Sequence, residues 1–350
     1  AAEPRSPPSW SWCRAPAATA APSTTDRDGR ARMRVENTRR SHAVRLQHAV
    51  GFYRSPGHLL AQLLPLVSLG LGQGAPVAVA VNPATEAALR ARIDSPPGLM
   101  LHPHPDGPDT GSGQTVAASW ARELRELTVQ SGRPITVISE HAPRLDGVDG
   151  TFWTELDAAF NIALSELPIT LTCFFPELPL HREIIDGALR NHPLLVVGGE
   201  LRHNPKHREP REVLAEQPAP APALLGPPEL RLAFGAWQLH EVRAAVEDAL
   251  LSANCPRERA EDVVLAVNEV ATNAVEHGNA EAELFIWVDD HGVVCEIHDA
   301  GSLRDPLPGL QAPHSSNPRG RGIWIARQLC DSLHVWTDDT GTHVRMRASP

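Results

Sequence analysis

The sequence predicts two domains in tandem: an α/β domain with a mainly parallel sheet, and behind it an α+β domain of two layers. Three observations carry this. Short apolar runs alternate with helical patterns from His48 to Gly199, the sequence form of repeated βαβ units. Residues 203–228 hold seven prolines and little apolar periodicity, the mark of an extended linker. Beyond them two long helical patterns precede a run of strands. The length of 350 residues agrees, being about twice a usual domain of roughly 100 to 200.

Taken in order, residues 1–42 are rich in Pro, Ala, Ser and Arg and lack the periodic hydrophobicity that offsets the entropy of ordering. A disordered tail is expected there. The α/β domain follows over 43–202. HAVGFY reads as its first strand and LLAQLLPLVSLGL as a helix; PVAVAVN, ATEAALRARI and GLMLH continue as strand, helix and strand. TVAASWARELRELTVQ is then a helix, ITVIS a strand, TFWTELDAAFNIALSEL a helix, ITLTCFF a strand, LHREIIDGALRNH a helix and LLVVGG a last apolar run. A parallel sheet covered by helices buries all of these. The Gly-rich stretches 70–74 and 111–115 lack the GK[ST] that completes a phosphate loop, so they are expected to be plain loops. In the second domain, 229–350, LRLAF is a strand, LHEVRAAVEDALLSA and RAEDVVLAVNEVATNAVEHG are helices, and ELFIWVDD and VVCEIHDA are strands. A Pro-rich loop and the helix GIWIARQLCDSL lead to LHVWTDDTGTHVRMR as the closing strands.

Composition excludes several classes. The net charge of −10 gives no reason to expect a nucleic-acid surface, and the basic cluster from Arg27 to Arg40 sits in the tail. No stretch approaches the roughly 20 apolar residues of a membrane helix, and the first thirty residues have no apolar core of a signal peptide, so a cytoplasmic location is expected. The five cysteines are scattered without a CxxC pair. They read as small buried apolar residues rather than as a disulfide framework or a zinc site.

Chemistry concentrates in the second domain. Glu269, Asn273 and His277 are spaced by four and share one helix face, while Val263, Val267, Val270 and Ala274 stripe another. Read singly, Glu269 and His277 are ordinary surface groups. An amide in the middle of an Ala/Val-rich helix is a poor helix former and needs a partner. After VVCEIHDA, Asp299 at a strand end can accept a hydrogen bond from a base amine, and Gly301 allows close backbone approach. The run from Asn317 to Gly322 feeds a helix, where backbone N–H groups make a phosphate cradle.

These motifs, NEVATNAVEHG, DAG, GRGIWIARQLCD and GTHVRMR in that order, resemble the GHKL (Bergerat-fold) ATPases, nearest the anti-sigma factor/serine kinase branch. The resemblance implies ATP and Mg²⁺ as cofactors, with Asn273 binding the metal, Asp299 reading the adenine amine and Thr342 supporting it. Gly301, Gly320 and Gly322 would let the backbone close around the nucleotide, with His277 nearby, and Glu269 would be the catalytic general base. One departure is that Ser302-Leu303 stand where the first glycine box usually has a second glycine. The lid, Ser302 to Arg319, holds no lysine, so a cation near the γ-phosphate would come from Arg304, Arg319 or Arg321. His240 in QLHEVR is not expected to accept phosphate, since no two-helix dimerisation hairpin precedes it.

The first domain resembles the MEDS sensory module, related to that of a dichloromethane-responsive repressor, over about residues 46–205. HAVGFYRSPGHLL, SGRPITVISE, NIALSELPITLTCFF and ALRNHPLLVVGG carry the likeness. Phe174-Phe175-Pro176 stands where that family usually has Pro-Tyr-Asp. Glu140, Trp153 and Cys173 are candidate pocket residues for a small-molecule signal. Together the resemblances imply a bacterial regulator: an ATP-dependent serine/threonine kinase acting on an anti-sigma-factor antagonist, under sensory control. A non-catalytic nucleotide-dependent switch and a sensor histidine kinase are the alternatives. The partners implied are a sigma factor or a STAS-type antagonist, with homodimerisation left open and neither nucleic acid nor membrane expected.

Overall fold

The computed structural model describes residues 45–93, 98–101, 112–143, 146, 150–278, 281–303, 305–314 and 320–350. The expected N-terminal tail lies outside them. Seven strands build the first sheet: β1 (Gln47–Tyr53), β2 (Val77–Ala80), β3 (Leu99–Leu101), β4 (Ile135–Glu140), β5 (Ile169–Pro176), β6 (Leu194–Val197) and β7 (Glu200–His203). Their order is β3-β2-β4-β5-β1-β6-β7, parallel throughout except for β7. Helices α1 (Pro56–Gly72), α2 (Pro83–Arg90), α3 (Gly113–Ser131), α4 (Thr151–Ala163) and α5 (Arg182–Asn191) connect the parallel strands. The near-continuous burial of β1, β2, β4 and β5 follows from helices on both faces, which divide the core into two clusters. The antiparallel edge strand β7 was not read from the sequence. Gly198 and Gly199, at φ of 61° and 84°, form the two-residue turn that folds it back on β6, a conformation open to glycine at little cost.

Both glycine stretches expected as plain loops are largely helical. Gly70 and Gly72 end α1, and Gly113–Thr115 open α3. A Cβ on Gly113 would stand 2.5 Å from Leu156 N, so this glycine lets α3 lie directly against the backbone of α4. The proline-rich segment also differs from a free linker. Pro210–Glu216 form helix α6, which packs on α4 through the buried Val213 and Leu214. Further on, carbonyls of the segment take bonds from the second sheet: Pro220 O from His334 Nε2 (2.8 Å), Ala223 O from Arg345 (2.7 Å) and Gly226 O from Trp287 Nε1 (2.7 Å). Proline lacks the N–H for a ladder but keeps its carbonyl, so such a chain can be strapped on by side-chain donors.

The second sheet is antiparallel, in the order β11-β12-β10-β9-β8, from β8 (Leu230–Phe234), β9 (Ala282–Asp289), β10 (Gly292–Asp299), β11 (Ser332–Asp338) and β12 (Gly341–Ala348). Helices α7 (Leu239–Ser252), α8 (Arg257–His277) and α9 (Gly322–Leu329) cover one face. In α8 the buried Ala260, Val263, Val267, Val270, Ala271 and Ala274 make the apolar stripe against that sheet, as the spacing predicts.

The two sheets are joined by a buried polar contact. Gln114 of α3 accepts from Val335 N (3.0 Å) and Arg327 (2.7 Å) through Oε1, and its amide donates to Val335 O (3.0 Å) and Glu155 Oε1 (2.7 Å). Arg327, fully enclosed, also reaches Leu333 O and Pro308 O. Every polar atom of the bridging amide is thereby satisfied, which burial demands.

Candidate functional site

Five elements meet around a cavity of about 260 Å³ lined by α8, the end of β10, the start of α9, β11 and β12. Its apolar wall is Val270, Ile297, Val335 and Val344; its polar groups include Asn273, His277, Asp299 and Thr342. The four-residue spacing in α8 places Asn273 and Glu269 on the same half-buried edge of the helix, with His277 exposed at its end.

Asp299 closes β10. Its Oδ1 accepts the Gly301 N–H at 2.7 Å, and Thr342 Oγ1 donates to Gly301 O at 3.0 Å, so Asp299, Gly301 and Thr342 form one bonded unit. A Cβ on Gly301 would fall 2.6 Å from Asp299 Oδ1, so the backbone closes on the carboxylate because the residue is glycine. Burial raises the Asp299 carboxyl above its ordinary value against the Gly301 bond and nearby histidines. A carboxylate with an apolar wall beside it suits a flat ring carrying an amine.

At the opposite end Gly322, the first residue of α9, lies under α8. A Cβ there would stand 2.8 Å from Glu269 Oε2 and 3.0 Å from Asn273 Nδ2. Glu269 and Asn273 are thus brought together over the N-terminal end of a helix, whose backbone N–H groups attract anions. The Asn273 amide makes no hydrogen bond among the described residues, so it is free to ligate from the cavity wall. The residues fit a nucleotide with its metal ion. Asn273 would hold the ion, Asp299 with Thr342 the base, and the start of α9 the phosphates.

Gly320 and Gly322 line the cavity, and Arg321 stands between them at the helix start. Arg304, Arg319 and Asn317 lie outside the described residues. The described part of the lid folds over the cavity through Ser302, Leu303, Pro308 and Gly309. A Cβ on Gly309 would meet Trp324 N at 2.6 Å, so the lid rests on the first turn of α9. Leu307 and Leu310 turn the other way and are buried among the side chains of the first domain.

The three candidates in the first domain take different hydrogen-bond partners. Glu140 accepts from Tyr53 OH (3.2 Å) and Asn82 N (3.0 Å) at the end of β4. Trp153 donates to Asp146 Oδ1 (3.1 Å) and packs on Phe175. Cys173 shares the core cluster of Trp153 and stands 3.5 Å from His48 Nε2. Gln114, Glu155 and Arg327 were missed in the sequence; the signal available was a charged residue, Arg327, in the apolar helix GIWIARQL.

No helix among the described residues is long and apolar enough to cross a membrane. A comparison with curated proteins finds no match. In the family comparison residues 234–348, which contain Asn273, Asp299, Gly322 and Thr342, match the histidine kinase-like ATPase domain, a match that supports a GHKL ATPase domain and, with it, ATP binding.

Proposed function

We propose that the chain is an ATP-dependent signalling regulator whose residues 229–350 phosphorylate a serine or threonine of an anti-sigma-factor antagonist of the STAS type, with 43–202 as its sensory domain and 203–228 as the connection. The observation that carries this reading is the meeting of Glu269 Oε2 and Asn273 Nδ2 over Gly322 at the start of α9. A bound magnesium ion would offset phosphate charge. Asp299 and Thr342 orient the base; the α9 N–H groups hold the phosphate end. Glu269, one helical turn before Asn273, accepts the proton of the incoming hydroxyl as its oxygen bonds to the γ-phosphorus and the bond to the bridging oxygen breaks, leaving ADP.

A second reading has its own support. Leu307 and Leu310 tie the lid to the first domain, which suits a switch that changes a partner surface without phosphoryl transfer. Incubating the full chain with γ-labelled ATP and purified antagonists separates the readings. Acid-stable label on a partner supports the kinase, nucleotide-dependent partner binding without label supports the switch, and acid-labile label on the chain itself would make it a histidine kinase.

A further inference from the structure

Under the first sheet, against α4 and α5, four groups of metal-binding chemistry meet away from water. They are His48 of β1, Cys173 of β5, Asp157 of α4 and His192 at the end of α5, exposed by 0, 5, 1 and 0%. One ligand atom of each lies within 4.8 Å of all the others. Val50 pairs with Cys173 across β1 and β5, so His48, two residues before Val50, projects from the same face as the thiol.

Hydrogen bonds around the cluster aim the ligand atoms inward. His192 Nδ1 donates to Ala188 O at 2.7 Å, which puts the proton on that nitrogen and leaves Nε2 a lone pair. That Nε2 has no hydrogen-bond partner, and neither has Asp157 Oδ2. The nearest approach between the two residues is 3.8 Å, His192 Nε2 to Asp157 Oδ1. For His48, Asn161 Nδ2 donates to Asn191 O (2.6 Å), which fixes Asn161 Oδ1 as the acceptor facing the ring. His48 Nδ1 donates to that oxygen at 3.0 Å, so its Nε2 is also a lone pair, 3.5 Å from Cys173 Sγ. Two imidazole lone pairs and an unpaired carboxylate oxygen thus share a dry space with a thiol. Buried polar atoms are ordinarily paired, and leaving them unpaired costs about 1 to 3 kcal/mol each. A cation satisfies all of them at once.

We propose that His48 Nε2, His192 Nε2, Cys173 Sγ and a carboxylate oxygen of Asp157 bind one divalent transition-metal ion of borderline softness, zinc by the donor set. Two nitrogens, one sulfur and one oxygen complete a tetrahedral shell with no position left for substrate, the form of a closed, non-catalytic site. Asn161 and the Ala188 carbonyl are its outer shell, orienting the rings through their second nitrogens. Such an ion would tie β1, β5, α4 and α5 together. Cys173, expected from the sequence to be a buried apolar residue, becomes a ligand because three partners from distant segments reach it.

The test uses the full chain without a polyhistidine tag, produced with zinc and, separately, with cobalt. Elemental analysis after exhaustive dialysis should find one zinc per chain. X-ray absorption should fit one sulfur at about 2.3 Å and nitrogen or oxygen neighbours at about 2.0 to 2.2 Å. The cobalt form should show four-coordinate visible bands and a thiolate-to-metal band, and Cys173→Ser should lose the latter while circular dichroism reports its fold. Asn161→Leu should weaken zinc by roughly 10- to 100-fold. Folded wild-type protein that retains no metal overturns the proposal, as does a metal shell without sulfur. A thiolate band unchanged in Cys173→Ser overturns it too, by placing the ion on another cysteine. The wild-type measurements decide the matter even if a variant fails to fold.

Discussion

Glu155 offers a direct measure of whether the two sheets are docked in solution. Burial pushes its carboxyl from 4.5 to about 7, although bonds from Gln114 and Gly113 N and the Arg327 charge pull it down. Moving the carboxyl from 4.5 to about 7 is worth on the order of 3 kcal/mol. Because the folded value is raised, the native state holds the proton more tightly than the unfolded chain. The stability from this group is fully present below about pH 4.5, is lost as pH rises through about 7, and changes no further above that. Glu155→Gln removes the titration. It keeps one acceptor oxygen but turns an N–H toward donors that the carboxyl faced, at a cost of about 1 kcal/mol at every pH. The variant should therefore be slightly less stable than the wild type near about pH 5 and more stable near about pH 8, the gap moving by on the order of 3 kcal/mol. Asp299 and His343, whose values are also raised, are common to both proteins and cancel. Urea unfolding at both pH values, followed by tryptophan fluorescence, reads the difference. Parallel curves would mean that water reaches Glu155, and the docked contact of α3 with β11 and α9 would then be wrong.

Three further outcomes are expected. Asp299→Asn should weaken ATP by about 1.5 to 3 kcal/mol in calorimetry, since an acceptor of a charge-assisted bond becomes a possible donor; unchanged affinity would remove Asp299 from the base site. Glu269→Ala should lower phosphorylation of an antagonist by about 10²- to 10⁴-fold with ATP affinity kept within a few fold, whereas Asn273→Ala should lose both. A normal rate for Glu269→Ala would end its role as general base. Gly113→Ala forces a methyl within 2.5 Å of Leu156 N and should destabilise the chain by about 1 to 3 kcal/mol in thermal unfolding; an unchanged midpoint would mean that α3 and α4 are not this close.

The succession of strands and helices along the chain was legible because each parallel strand is a short apolar run between helical patterns, and the shared face of Glu269, Asn273 and His277 was legible because their spacing is a direct statement about one helix face. What escaped reading depends on other segments. Gln114 sits after Gly111-Ser112-Gly113, which looks like a turn; packing of Gly113 against Leu156 makes it the opening of a helix instead. Arg327 and Glu155 look like solvated positions until a second domain covers them. The strap from Pro220 to Gly226 has almost no periodicity of its own, and its order comes from His334, Arg345 and Trp287, donors far along the chain. Three members of the buried cluster, His48, Asp157 and His192, passed unremarked for the same reason. Periodicity reads one element at a time, and these residues come from β1, α4 and α5.

The two buried leucines of the lid set a timetable. Exposing a leucine costs about 1.5 to 3 kcal/mol, so freeing Leu307 and Leu310 together takes roughly 3 to 6 kcal/mol. That keeps the lid down by about two to four orders of magnitude over its open form. On the function proposed above, nucleotide passing Leu307 and Leu310 would require both side chains to leave the neighbouring core. Residence time at the proposed site would then be set in part by the packing of the first domain, and whatever loosens that packing would quicken exchange.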